Sequence, residues 1–140
     1  MRVAAVDLGK VRVGLAVSDE LGALAHPRPP LSGQSRKKLL AELARLARDE
    51  KVERFLVGWP LDRTGGEGRE AERARRFAQE LADQTGRDVE LVDERLSTVE
   101  ATRRLREGGV NAKKGRQLVD GVAAAVLLQA WLDQRARPIE

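Results

Sequence analysis

The hydrophobic period of this chain first changes near Ser35, and that change decides which folds remain open to it. Before Ser35 the pattern belongs to strands. Residues 3–6 are a short apolar run of β-type side chains, and Val11, Val13, Leu15 and Val17 then alternate with Arg12, Gly14, Ala16 and Ser18. A period of two marks a strand with one buried face. Between these segments lies Asp7-Leu8-Gly9-Lys10, which reads as a tight turn with Gly9 free to take a positive φ, so a hairpin opens the chain. Gly22 and Pro27 bracket a short third strand at residues 23–26, and Pro29, Pro30, Ser32, Gly33 and Ser35 form a loop.

Beyond Ser35, helices and strands alternate. Leu39, Leu40, Leu43, Leu46 and Ala47 recur at helical spacing. Residues 55–58 are a fully apolar strand, followed by a loop rich in Pro and Gly at 59–68. Ala71, Ala74, Phe77, Ala78 and Leu81 mark a second helix ended by Gly86, and residues 89–92 form a fifth strand. Ser97-Thr98-Val99-Glu100 fits a capping box that opens a third helix, and Gly108-Gly109 breaks it. A last helix runs from about Gln117 to about Gln134. Three leading strands form an antiparallel meander, and strand–helix–strand units make parallel pairs. The expected architecture is therefore α/β, a five-stranded mixed sheet with helices on both faces, in one domain over residues 1–140.

Composition removes several classes of chemistry. With no cysteine there is no disulfide, thiolate nucleophile or cysteine zinc site. His26 is the only histidine, which excludes every two-histidine metal motif. Charged residues make up 34% and no apolar run is long enough to span a bilayer, so no membrane partner is expected. The first residues enter strand-like sequence at once, without the apolar core of a secretory leader, which points to a soluble, cytoplasmic protein. The net charge of +4 is unevenly spread. Arg103, Arg104, Arg106, Lys113, Lys114 and Arg116 face Glu107 as the only acid between them. Such a stripe either attracts a polyanion, nucleic acid being the commonest, or is a solvated helix end.

Three groups of acids stand out. Asp7 ends the first strand, where it either serves the turn or offers a ligand at the edge of the sheet. Asp93 and Glu94 end the fifth strand, and alternation sends them to opposite faces, so only one easily shares a site with Asp7. Asp120 enters the least polar helix in the chain, as a dipole partner in its first turn or as a buried functional group. Three carboxylates meeting at one cleft repel and raise each other's pKa unless cations lie between them. Hard divalent ions with oxygen ligands suit such a site, and two of them can hold both oxygens of a phosphodiester displacement.

The motifs Asp7-Leu8-Gly9-x-x-Arg12-x-Gly14-x-Ala16-x-Ser18-Asp19, Val57-Gly58-x-Pro60-Leu61 and, above all, the run from Asp93-Glu94-Arg95 through Leu96-Ser97-Thr98-Val99-Glu100-Ala101 resemble the YqgF or RuvX family. Its members are described as Holliday junction resolvases or pre-16S rRNA nucleases. The resemblance runs from Met1 to about Leu132, and Lys114-Gly115 before Asp120 agrees with it. It implies an RNase H-like fold and hydrolysis of phosphodiesters with Mg²⁺ or Mn²⁺. By position it implies that Asp7, Glu94 and Asp120 are the catalytic, metal-binding acids. Asp93, Ser97 and Thr98 would support them from behind. Trp59 stands where a smaller aliphatic residue is more usual, and Asp62 where Asn is common.

A nuclease reading then assigns further roles. Arg12 and Arg95 would steady the scissile phosphate or pair with nearby acids, and Arg103, Arg104, Arg106, Lys113, Lys114 and Arg116 would contact phosphates. Gly65, Gly66 and Gly68 precede a helix, where free N–H groups could hold a phosphate or simply form a flexible loop. Expected partners are structured RNA or branched DNA, bound by a monomer or weak homodimer. Trimming of ribosomal RNA precursor needs one active site, whereas junction resolution needs two symmetric cuts. No dimer seam is visible in the sequence, which favours RNA. Two other classes compete. One is a nucleotide-binding module of the actin-like ATPase type, suggested by Asp7-Leu8-Gly9 before a strand, but the P-loop fingerprint is missing and such proteins usually need two lobes. The other is a nucleic-acid-binding factor without catalysis.

Overall fold

A computed structural model describes residues 1–96, 99–107 and 119–136. Its strands are β1 (Arg2–Leu8), β2 (Arg12–Ser18), β3 (Ala25–Ser32), β4 (Val52–Trp59) and β5 (Asp88–Asp93). Its helices are α1 (Arg36–Asp49), α2 (Arg69–Thr85), α3 (Val99–Glu107) and α4 (Val119–Ala136), with a 3₁₀ turn over Glu94–Leu96. The five strands lie in the order β3-β2-β1-β4-β5. β1, β2 and β3 are antiparallel neighbours, while β4 runs parallel to both β1 and β5. The meander and the parallel pairs follow from the short links within residues 1–32 and the helical crossovers after them.

Alternation along the central strands builds two cores. Ala4, Val6, Phe55 and Val57 face α1 and α2, where Leu43, Phe77 and Leu81 are buried. Val3, Ala5, Leu56 and Val92 face the other way, onto Ala124, Leu128 and Trp131 of α4 and Leu105 of α3. Because α4 is covered by the sheet on one side and by α3 on another, it is buried on nearly its whole circumference. That explains why it is the least polar helix in the chain. Gln129 sits in this apolar helix with no exposure, its amide fully used. Its Oε1 accepts from the Ala25 N–H at 3.0 Å, and its Nε2 donates to the Ala23 carbonyl at 3.1 Å and to Asp133 at 2.9 Å. The amide thus ties α4 to the entry of β3.

Local capping ends these helices as the residue types require. The Ser35 hydroxyl accepts from the Lys38 N–H at the start of α1, and Gly86 closes α2 in the left-handed conformation at φ 70°. The capping box at Ser97 and Thr98 lies outside the described residues. No helix among the described residues is long and apolar enough to cross a membrane.

Two local expectations are corrected. β3 does not stop at Pro27 but continues through Pro29 and Pro30 to Ser32. It is an edge strand, so prolines missing a ladder donor are tolerated there. The register also shifts, with Leu31 opposite Val13 and Arg28 opposite Leu15, so both Pro29 and Pro30 stand against Gly14 in a bulge. Gly9 is not among the glycines with positive φ. It is required by close approach, since a Cβ there would lie 2.3 Å from the Arg12 carbonyl oxygen.

Candidate active site

Parallel pairing places the C-terminal ends of β1, β4 and β5 at one edge of the sheet. Val6 is level with Val57, Gly58 with Val92, and Trp59 with Asp93. Asp7, the next residue along β1 from Val6, therefore stands beside Gly58 on the face that carries Ala5, Leu56 and Val92. Glu94 is not the last residue of β5 but the first of the 3₁₀ turn that follows it. Its carboxylate folds back over Gly58, with Oε1 only 2.8 Å from where a Cβ on that glycine would stand. The missing side chain at residue 58 is what admits the carboxylate.

There Glu94 forms a side-chain hydrogen bond with Asp7. Burial first, then the Asp7 charge and that bond, then the charge of Asp93, push Glu94 up from its ordinary 4.5 to about 7. Two carboxylates in contact cannot both ionise cheaply, so they hold one proton between them near neutrality. The folded protein thus binds more proton than the unfolded chain between pH 4.5 and about 7. This stabilisation is complete below the lower value and lost as pH rises through the upper one. Without metal, stability is expected to fall by on the order of 1–2 kcal/mol from pH 5 to pH 8 through this group, after allowance for screening by water. Urea unfolding at both pH values checks this, and Glu94→Gln should remove the slope.

Asp93 has a different environment. It lies on the α2 side, where its carboxylate accepts from the Arg95 backbone N–H at 2.9 Å, from Nε at 2.9 Å and from Nη2 at 2.6 Å. These bonds and the guanidinium charge hold it below the usual carboxylate range. Arg95, offered above as a phosphate contact or as a partner of nearby acids, pairs with Asp93 and donates to the Arg63 carbonyl, 3.4 Å from Nη1.

Asp120 is in the first turn of α4, and its carboxylate lies outside what is described. Its neighbour Gly121 shows how that end of the helix is placed. A Cβ there would be 2.6 Å from the Arg28 carbonyl, so α4 packs close against β3 at the residue after Asp120. Among the described residues no three acids or histidines are grouped so as to hold a metal ion, and the acids in contact are Asp7 and Glu94. His26 is exposed on β3 opposite Val17, at the other end of β2 from Gly14, the partner of Asp7.

Of the expected cationic residues, Arg12 is exposed at the start of β2, beside the exposed Lys10 at the hairpin tip. Arg103 and Arg106 are exposed on α3, the former 3.9 Å from Glu107. Arg104 is engaged by Asp133 of α4 and serves helix packing. Lys113, Lys114, Arg116, Ser97 and Thr98 lie outside the described residues.

The glycine loop is internally organised. Asp62 accepts from the Thr64 N–H at 2.9 Å, the Thr64 hydroxyl at 2.7 Å and the Gly66 N–H at 2.7 Å, while its own carbonyl accepts from Gly65. Two of the three glycine N–H groups are thus turned to Asp62 rather than outward to a phosphate. Trp59 packs against the α1–α2 core, on the opposite face from Asp7. Two roles escaped the sequence reading. Gly58 was named only as part of a motif, without the space it makes for Glu94, and Arg73 of α2, which donates at 3.2 Å to the Gly9 carbonyl and braces the hairpin beside Asp7, was not named. Each role acts on a residue distant in the chain.

Comparison with known proteins bears on the family and the fold. A family model described as "RuvX: Holliday junction resolvase" matches residues 1–134. The chain belongs to the RuvX family. RuvX relatives include a protein of Anaeromyxobacter sp. (strain Fw109-5), 48% identical over 96% of this chain and 98% of the other, named "Putative pre-16S rRNA nuclease". A protein of Myxococcus xanthus with the same name is 45% identical over 99% of this chain and 91% of its own. Among solved structures, T. thermophilus RuvC in complex with a Holliday junction substrate superimposes with a TM-score of 0.63 at 18% identity, covering 97% of each chain. The fowlpox virus resolvase with Holliday junction DNA gives 0.57 at 11% identity, covering 98% of this chain and all of the other. These similarities show that this RuvX chain has the RuvC-like, RNase H-type fold.

Proposed function

We propose that this protein is a divalent-metal-dependent nuclease that acts in the cytoplasm on the 5′ end of pre-16S rRNA. The observation that carries the reading is the contact between Asp7 and Glu94 at the ends of two strands, where the pair retains a proton near pH 7. The names of the full-length relatives support the substrate. An all-oxygen, anionic pair suits Mg²⁺ or Mn²⁺, with Asp7 and Glu94 as ligands and Asp120 offered from α4. A bound ion would supply charge stabilisation at the reacting phosphate. The protein's own part is to keep both carboxylates facing one point, with Arg12 and Lys10 on the adjacent hairpin tip to attract the backbone. One site per chain suffices for trimming, so a monomer or weak homodimer fits. The family's description favours one other reading, resolution of a four-way DNA junction. Incubating the protein and Asp7→Asn with a ribosomal RNA precursor and with a four-way junction, each with Mg²⁺ and with Mn²⁺, tests both. Cleavage of neither by the parent would end the nuclease reading.

Gly58→Ala separates the site from the fold. The new methyl group meets the mobile end of Glu94 rather than backbone, so the fold should lose no more than about 1 kcal/mol. The displaced carboxylate should slow cleavage by about 10²-fold, the usual cost of a misplacement near 1 Å. Thermal melting and single-turnover kinetics of one preparation check both halves.

The exposed arginines of α3 make a separate expectation. Changing Arg103 and Arg106 together to Ala should weaken binding to every nucleic acid tested and flatten its salt dependence by about one unit per lost phosphate contact. Arg104→Ala should leave that slope unchanged and cost stability, because its partner is Asp133. Binding titrations from about 50 to about 200 mM salt read the slopes.

A further inference from the structure

The turn after β5 holds more than Glu94. The Asp93 carboxylate closes this turn by accepting the Arg95 backbone N–H at 2.9 Å, and it grips the Arg95 side chain at both oxygens, Oδ1 accepting from Nε at 3.0 Å and Oδ2 from Nη2 at 2.6 Å. Such a two-point fork fixes the guanidinium in direction as well as distance. The fixed guanidinium then reaches across to the β4–α2 loop, where Nη1 donates to the Arg63 carbonyl. Its Nη2 lies 3.8 Å from where a Gly65 Cβ would be, and its charge draws on Asp62, the carboxylate that organises residues 62–66. The bonds therefore run without a break from the Glu94 turn through Asp93 and Arg95 into that loop. The same loop leaves β4 just after Gly58, the seat of the Glu94 carboxylate. With Arg95 half exposed, the pair adds little to stability, and its effect is geometric.

We propose that Asp93 and Arg95 are positioning residues that fasten residues 62–66 to the Glu94 turn, so that the loop and the acid are held as one unit. Neither touches substrate or metal in this role. The inference rests on the nuclease reading for its effect on cleavage, but not for its effect on the loop.

The test uses the full chain with Arg95→Lys, Asp93→Asn and Asp93→Ala. Lysine keeps the charge and loses the fork. Asparagine keeps an acceptor for the Arg95 N–H, and alanine keeps none. In Arg95→Lys, hydrogen exchange at the Gly65 and Gly66 amides should quicken at least about tenfold, while amides of β1 and β4 are unchanged. Single-turnover cleavage with saturating Mn²⁺ should fall by about 10- to 100-fold, as when a ligand loses its supporting partner. Nucleic-acid affinity and its salt slope should not change. Asp93→Asn should be milder than Asp93→Ala in both exchange and cleavage. A salt slope lowered by about one unit in Arg95→Lys would make Arg95 a phosphate contact and overturn the proposal. Unchanged loop exchange would also overturn it. So would loss of Mn²⁺ binding in Asp93→Asn, measured calorimetrically without nucleic acid, because Asp93 would then be a ligand. If the parent itself cleaves nothing, the nuclease reading fails, and loop exchange alone still decides whether the clamp exists.

Discussion

Asp7→Asn should lower cleavage by at least about 10³-fold while leaving the fold intact, a loss of roughly 4 kcal/mol of transition-state stabilisation. The substitution keeps the shape of the side chain and removes the charge that would attract a cation. Its effect on stability should have the opposite sign. At pH 8 the parent without metal carries two ionised carboxylates in contact, since Glu94 titrates near 7. Asparagine removes one charge and can donate to the other. A gain on the order of 1 kcal/mol, or about 3 °C in Tm, is expected at pH 8, and less at pH 5.5, where the parent pair already holds its proton. Melting curves in chelator at the two pH values, beside cleavage assays with Mn²⁺, check this pattern of a dead but stabilised variant. An active Asp7→Asn would make Asp7 a turn residue and move the site elsewhere.

Glu94→Gln should be comparably damaging, again by about 10³-fold or more, because the remaining acids cannot hold a cation against the phosphate without it. Glutamine fills the same space above Gly58 and can still hydrogen-bond Asp7, so the loss should be electrostatic rather than structural. The pH dependence supplies an internal control, since the decline in stability from pH 5 to pH 8 should disappear in this variant. Asp93→Asn should cost less, because Asp93 faces Arg95 and not Asp7. Single-turnover cleavage of both variants at saturating Mn²⁺ decides between the two acids. A dead Asp93→Asn beside an active Glu94→Gln would require the site to be rebuilt around Asp93.

The clearest sequence signals were those carried by neighbours in the chain. Alternation from Val11 to Val17 marked β2 and its buried face, and the shift to helical spacing at Leu39 marked α1. Opposite facings for Asp93 and Glu94 also followed from alternation, although Glu94 has already left the strand for a 3₁₀ turn. The basic stripe was legible as composition but not as chemistry. Nothing near Arg104 in the chain announces Asp133, 29 residues further on. β3 was cut short because proline weighs against a strand until the strand is known to be an edge, and that is a property of the sheet.

By itself, then, the sequence determined the order and type of the elements, because periodicity records which side of each local segment is buried. Together with the resemblance it carried, it also singled out Asp7 and Glu94 as acids of interest. Only the tertiary structure decided that these two share a proton, that Gly58 makes the space, and that Arg95 is committed to Asp93. Electrostatic coupling and steric fit depend on separation in space, and here they join groups from β1, β4 and the turn after β5. Those distances exist only once β1, β4 and β5 have paired in register.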